Sequence, residues 1–357
     1  MSEHAAHDVV FLPEISVAMV SATAFQVIAG NRQTFEAYVI DIEPDDRKYA
    51  TTSSALRTIA QTNPVWDETF FTWGLQAVGA AASGLSGFGV RIAVLDTGVD
   101  LAHPDLMRRI HRHHTKSFIP DDPSIADKVR HGTHCVGIVG GPRHPVRGPR
   151  YGVACDCEVW VGKVLGDDGE GQDSWILAGL RWAVRNKCRV VSLSLGSPVL
   201  PSQPYSKVYE TAAARALQRG TLVIAAAGND SSRYLNKIMP VSSPANCPSV
   251  LAVGALSSLS EGSYEIADFS NGGINPDGGA VDVSGPGVFV YSSFPLPIEY
   301  YRDSGTSMAT PHVAGIAGLL TEANPCGCPR DIWAQICSRA KQLPISASDA
   351  GAGLVSI

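Results

Sequence analysis

The sequence predicts an α/β protein: a three-layer fold around a mainly parallel central sheet, preceded by a small N-terminal α+β unit. The first observation behind this is a change of grammar at Gly89. From there on, short unbroken runs of Val, Ile, Leu and Ala alternate with segments of helical length, as buried parallel strands and their crossover helices do. The second is that several runs end in a glycine followed by a polar residue, which collects polar side chains at the carboxyl edge of the sheet, where such folds place ligands and catalytic groups. The third is bulk. A chain of 357 residues, 45% hydrophobic and 17% charged, can build one large domain with an appendage or two ordinary domains, and argues against disorder.

Taken in order, Ile15-Ser16-Val17-Ala18-Met19-Val20 and Ala37-Tyr38-Val39-Ile40-Asp41-Ile42 mix apolar and β-branched types as strands do. Within 52–61, Leu56, Ile59 and Ala60 fall at helical spacing. After Asn63-Pro64 the pattern changes, which divides the chain into an N-terminal unit, 1–67, and a main domain, 68–357. In the main domain, 90–95, 158–164, 190–195, 222–227 and 250–254 read as strands. The segments 132–140, 173–187, 205–219 and 308–323 read as helices. No internal repeat or low-complexity tract interrupts them.

The net charge of −6 comes from 28 basic and 34 acidic residues without long runs of either sign, which gives no support to nucleic-acid binding. Met1 to Val10 lacks the basic start and unbroken apolar core of a secretory signal, and no apolar segment is long enough to span a bilayer. A cytoplasmic protein without a membrane partner is therefore expected. Eight scattered cysteines include Cys-x-Cys pairs at 155/157 and 326/328, which lack the two-residue spacing of zinc knuckles. Free thiols are the expected state, in keeping with a reducing compartment.

Four polar motifs stand at element ends. Asp96, in Leu95-Asp96-Thr97-Gly98, closes a strand and reads alone as a turn-forming residue or as a carboxylate placed at the sheet edge. His131 opens His131-Gly132-Thr133-His134 at the head of a helix; the two histidines, three apart and without a matching acidic helix, do not make a metal pair. Asn229 ends Ala225-Ala226-Ala227-Gly228-Asn229, as a turn former or as an amide donor to an oxyanion. Ser307, in Gly305-Thr306-Ser307-Met308-Ala309-Thr310-Pro311-His312, starts a helix, where a serine is either an N-cap or a nucleophile facing the positive helix end.

With these motifs in the order Asp, His, Asn, Ser, the chain from about residue 68 to 357 resembles the subtilisin-like serine proteases, or subtilases. The match extends to His103-Pro104-Asp105-Leu106 and the closing Gly351-Ala352-Gly353-Leu354-Val355. The resemblance implies a serine endopeptidase in which Ser307 is the nucleophile, His131 the base and then the acid, and Asp96 the group that fixes the imidazole. Asn229 and the Ser307 N–H would hold the oxyanion. A silent peptide-binding protein on the same fold and an acyl-enzyme peptide ligase are the alternatives.

The same resemblance places Ser194, Leu195 and Gly196 on one side of a bound peptide backbone and Gly169, Glu170 and Gly171 on the other. Asp167, Asp168, Glu170 and Asp230 lie near these positions, and predict a mild preference for basic residues upstream of the scissile bond. The family's N-terminal prodomain implies that 1–67 acts as an intramolecular inhibitor. Cleavage near Asp67-Glu68 would, however, set an acid beside the bond in an acidic groove. Family members often bind calcium after the histidine helix; here 140–150 carries three arginines and no carboxylate, so no metal or other cofactor is expected, and Asp105 lacks companion ligands.

Overall fold

The computed structural model describes residues 9–22, 25–26, 41–51 and 66–357. It begins with an antiparallel hairpin, β1 (Val9–Leu12) and β2 (Val17–Val20), and an extended strand, β3 (Arg47–Ala50). The main domain opens with a short helix, α1 (Trp73–Ala77), then β4 (Arg91–Asp96), β5 (Thr115–Ser117), α2 (His131–Gly140) and β6 (Glu158–Lys163). Next come β7 (Glu170–Gln172), α3 (Asp173–Arg185), β8 (Val190–Leu193), β9 (Leu195–Gly196), α4 (Lys207–Gln218) and β10 (Leu222–Ala226). The chain closes with β11 (Leu251–Ser260), β12 (Ser263–Ile266), β13 (Val283–Pro286), β14 (Val290–Ser293), β15 (Tyr300–Asp303), α5 (Thr306–Ala323) and α6 (Pro329–Arg339).

Eight strands form the central sheet, in the order β12-β11-β10-β8-β4-β6-β5 with β13 also on β11. All its pairs are parallel except the β11–β12 hairpin. Alternation on the strands makes the three layers. Ile92 and Val94 of β4 face a core shared with Val136 and Ile138 of α2 and Val313 and Ile316 of α5. Ala93 and Leu95 face a second core with Ile176 and Leu180 of α3 and Ala212 and Ala216 of α4. Helix α5 is buried continuously from Thr306 to Thr321, which is why its sequence is apolar on all sides rather than along one stripe.

The expected strand at 190–195 is two elements. After Leu193 the chain leaves the sheet, and Leu195–Gly196 pairs with β3 instead. The strand expected at 250–254 runs on to Ser260 because its outer half is completed by β12. In the N-terminal unit only 17–20 of the first expected strand is regular; 41–42 is irregular, and 37–40 and 52–61 lie outside the described residues. Leu12, Ile15 and Val17 join the core of α3 and α4, and Glu14 pairs with Arg181 at 2.6 Å and Arg185 at 3.5 Å. Among the described residues no helix is long and apolar enough to cross a membrane.

Two histidines in this core carry a pH signature. His312 donates from Nδ1 to the Met308 carbonyl at 2.8 Å, and His134 lies between the carbonyls of Val290 and Tyr301. Burial pushes each pKa down to about 4. An unfolded histidine protonates near 6.5, so each contributes stability that is present above that pH and lost as pH falls towards 4, about 3 kcal/mol apiece. We expect the His312 ring resonances in NMR spectra to stay constant from pH 7.5 to 5; a titration centred near 6.5 would contradict this burial.

Candidate active site

Asp96 ends β4 at the carboxyl edge of the sheet and is fully buried. Its Oδ1 accepts from the Thr97 N–H and from His131 Nδ1, each at 2.7 Å. The glycines of both motifs allow this approach. Gly98 has φ +106°, and a Cβ there would meet the Ile125 carbonyl oxygen at 2.3 Å; a Cβ on Gly132 would meet the Gly98 carbonyl oxygen at 2.2 Å. The first turn of α2 is then pinned by side chains: Thr97 Oγ1 accepts from the Gly132 N–H at 2.8 Å and donates to Asp127 at 2.8 Å. Asp127 also accepts from the N–H groups of Arg130 and Thr133 and from the Thr133 hydroxyl. Lys163, completely buried, donates to the Thr97 carbonyl at 2.6 Å. These groups fix where the imidazole of His131 points.

His131 is itself buried, and among the described residues its Nε2 has no hydrogen-bond partner. Burial alone would lower its pKa; the adjoining Asp96 carboxylate outweighs that and holds it well above 6.5. The Sγ atom of Cys135, one turn along α2, is 3.9 Å from His131 Nδ1. Asp96, His131 and Cys135 have donor atoms within 4.8 Å of one another, but the shared centre is occupied by the Asp–His hydrogen bond.

Ser307 does not cap its helix. The N-cap is Gly305, in extended backbone, and Ser307 stands in the first turn, fully buried, with its hydroxyl reaching the carbonyl oxygens of Thr51 and Ser194. Pro311, four residues on, has no N–H to give the Ser307 carbonyl. That carbonyl accepts instead from Ser194 Oγ at 2.9 Å and Cys135 Sγ at 3.5 Å, which ties the turn bearing Ser307 to α2 and to the loop after β8.

Asn229 follows β10 through Gly228, whose φ of +105° and contact with Ser242 leave no room for a Cβ. Its Oδ1 accepts from the Thr306 N–H at 2.9 Å and hydroxyl at 2.8 Å, so its Nδ2 must face the cleft. There it donates to the carbonyl oxygen of Thr51 at 2.7 Å. The Ser307 hydroxyl donates to the same oxygen at 2.6 Å.

Strand β3 leads to that carbonyl as the middle of a three-stranded antiparallel sheet, β7-β3-β9. Lys48 pairs with Gly171, Tyr49 with Glu170 and Gly196, and Ala50 with Leu195. The N–H of Ala50 donates to Gly169 at 3.0 Å and that of Thr51 to Ser194 at 3.3 Å. All six edge positions expected to flank a peptide therefore flank this segment. Asp230 does not: its carboxylate accepts from Asn271 Nδ2 at 2.9 Å and Ser242 Oγ at 3.3 Å, holding the turn behind Asn229 rather than facing the cleft. Of the other acids, Asp167 pairs with Lys128 and Lys163, and Asp168 accepts from the Glu170 N–H. Glu170 meets Arg47 at 3.1 Å on the surface.

Sequence reasoning missed Thr51, Lys48, Asp127 and Asp173. Asp127 had one legible signal, an acid shortly before a helix start. Lys48 is buried in the cleft with its Nζ 2.8 Å from Asp173, and nothing in its local sequence marks it as buried.

Residues 87–353 match the model of the subtilase family, and the chain belongs to that family; it is a serine-type endopeptidase. It is 41% identical over 256 residues to subtilisin BL of Lederbergia lenta, covering 71% of this chain and 85% of that one. To the M-protease of Shouchella clausii it is 36% identical over 305 residues, covering 82% and 71%. Among solved structures, sphericase superposes with a TM-score of 0.69 at 30% identity over 80% of this chain and 97% of its own.

Proposed function

We propose that this endopeptidase works through an acyl-enzyme on Ser307, and that its own segment ending at Thr51 is both its first substrate and its inhibitor. One observation carries the reading: a peptide carbonyl, that of Thr51, accepts from the Ser307 hydroxyl and the Asn229 amide together. Nucleophile and oxyanion donor must converge on a carbonyl in this way. For attack the Ser307 hydroxyl turns its proton from the Thr51 oxygen to His131 Nε2, and Oγ adds to the carbonyl carbon as that proton is taken up. Asp96 keeps the Nδ1 proton in place and stabilises the imidazolium. The oxygen that gains the negative charge accepts from Asn229 Nδ2 and from the Ser307 N–H, which in a first helical turn has no carbonyl behind it. The C–N bond then breaks as His131 returns the proton to the leaving amine, and water resolves the acyl-enzyme by the same relay.

In this reading 68–357 is the catalytic domain and 1–67 a prodomain-like extension. The extension is seated by more than β3. Glu43 accepts from the N–H groups of Lys207 and Val208, and Asp45 from the N–H and hydroxyl of Ser174, so a carboxylate stands at the positive end of each of α4 and α3. The bond to be cut is then Thr51–Thr52, not one near Asp67-Glu68, which removes the clash of an acid with an acidic groove. Basic residues are favoured on the upstream side, as in Arg47-Lys48. The eight unpaired thiols, five of them buried, favour a reducing compartment such as the cytoplasm.

No calcium is required at the loop after α2. Both carboxylate oxygens of Asp105 accept from protein donors: Oδ1 from the Val146 N–H at 2.7 Å, Oδ2 from the hydroxyls of Tyr151 at 2.6 Å and Tyr300 at 3.0 Å. Micromolar calcium is therefore expected to leave the melting temperature within about 2 °C of its value in chelator, whereas an upward shift of several times that would point to a structural ion.

The functional reading is tested by incubating the purified full chain, wild type beside Ser307→Ala, and weighing the products. The wild type should yield an N-terminal fragment ending at Thr51, and Ser307→Ala should remain at 37.7 kDa. Processing of Ser307→Ala at the same rate, or wild-type processing at an unrelated bond, would refute it.

A further inference from the structure

Lysine three residues before the residue whose carbonyl Ser307 holds is the least expected feature of the cleft. Lys48 is only 2% exposed, although it belongs to a segment lying on the surface of the main domain. Its ammonium is 2.8 Å from Asp173 Oδ1, at the start of α3, and 5.6 Å from the ring centroid of Tyr209 on α4. The Tyr209 hydroxyl donates to the same Asp173 oxygen at 2.8 Å. The pocket is therefore built by the main domain: two helices supply a half-buried carboxylate, a hydroxyl that orients it, and an aromatic face for the cation. Asp46, 3.6 Å from the ammonium, is exposed and belongs to the departing segment, so it is not part of the pocket.

The Asp173 side chain is 15% exposed beneath Lys48, and an ionised carboxylate so placed needs a partner. When the segment leaves, that position is vacated, and a substrate with a cation at the same register restores the pair. A neutral side chain of the same length leaves the carboxylate beneath it unpaired, and an acidic one adds repulsion.

We propose that Asp173, oriented by Tyr209, makes this enzyme selective for peptides carrying lysine at the fourth residue before the cleaved bond. The proposal rests on the endopeptidase reading and on the register set by Thr51. Asp173 is a specificity-determining residue and takes no part in the bond-breaking steps. Tyr49 and Ala50 lie between it and the reacting carbonyl.

The test uses the full chain and three tetrapeptide p-nitroanilides, X-Tyr-Ala-Thr, in which X is lysine, norleucine or glutamate. The ratio of kcat/KM between two peptides on one preparation cancels the fraction of molecules whose cleft is still occupied. Lysine should exceed norleucine at least tenfold and glutamate by more, and in Asp173→Asn the lysine-to-norleucine ratio should fall to within about twofold of unity with hydrolysis of the norleucine peptide retained. A wild-type ratio near unity overturns the subsite whether or not Asp173→Asn folds, as does a high ratio that survives the substitution. Failure to hydrolyse any of the three, together with failure to react with a fluorophosphonate, overturns the endopeptidase reading instead.

Discussion

The structure depends on a helix that is buried along its whole length and begins at the cleft in which the segment ending at Thr51 lies. Because α5 is enclosed by the sheet, α2 and the closing segment of the chain, its first turn can be satisfied only by groups fixed in the same core. Thr306 is bonded to Asn229, and the Ser307 carbonyl, left without a helical donor by Pro311, is bonded to Ser194 and Cys135. Each of those partners comes from a different crossover of the parallel sheet. The packing that stabilises the domain therefore also sets the relative positions of the serine, the amide and the histidine helix. Little reorganisation is needed when charge develops at the cleft, which is the physical basis of electrostatic preorganisation.

The occupant of the cleft is held by the same devices. Main-chain pairing with β7 and β9 supplies affinity that is indifferent to side chain, while carboxylates at two helix ends and a buried lysine supply register. A segment seated in this way must be displaced or cut before another peptide can enter. It also reports, in its own sequence, what the cleft accepts.

Much of the fold was legible because buried parallel strands are written as unbroken apolar runs, and 90–95, 158–164 and 222–227 lie within a residue or two of the observed elements. The site motifs were legible for a related reason: Gly98, Gly132 and Gly228 stand where no Cβ fits, so the neighbouring polar residue in each motif is locked into a recognisable phrase. Ser194 was expected within a continuous strand, and its carbonyl instead accepts from the Thr51 N–H. That the chain leaves the sheet there depends on β3, which is distant in sequence. Asp230 read as a cleft acid by adjacency to Asn229, and its bonds to Asn271 and Ser242 are long-range facts that adjacency does not encode. Lys48 and Asp173 are separated by more than a hundred residues, and neither carries a local sign of its partner.

As proposed, Ser307 is the nucleophile of an active enzyme and not a helix-start serine with a bound peptide. The most direct measurement is reaction of the full chain with a biotinylated fluorophosphonate, followed by peptide mapping of the adduct. A single adduct on Ser307, lost in Ser307→Ala and strongly slowed in His131→Ala, is the result this account predicts. Absence of any adduct after the segment ending at Thr51 has been released, or an adduct on another serine, would contradict it.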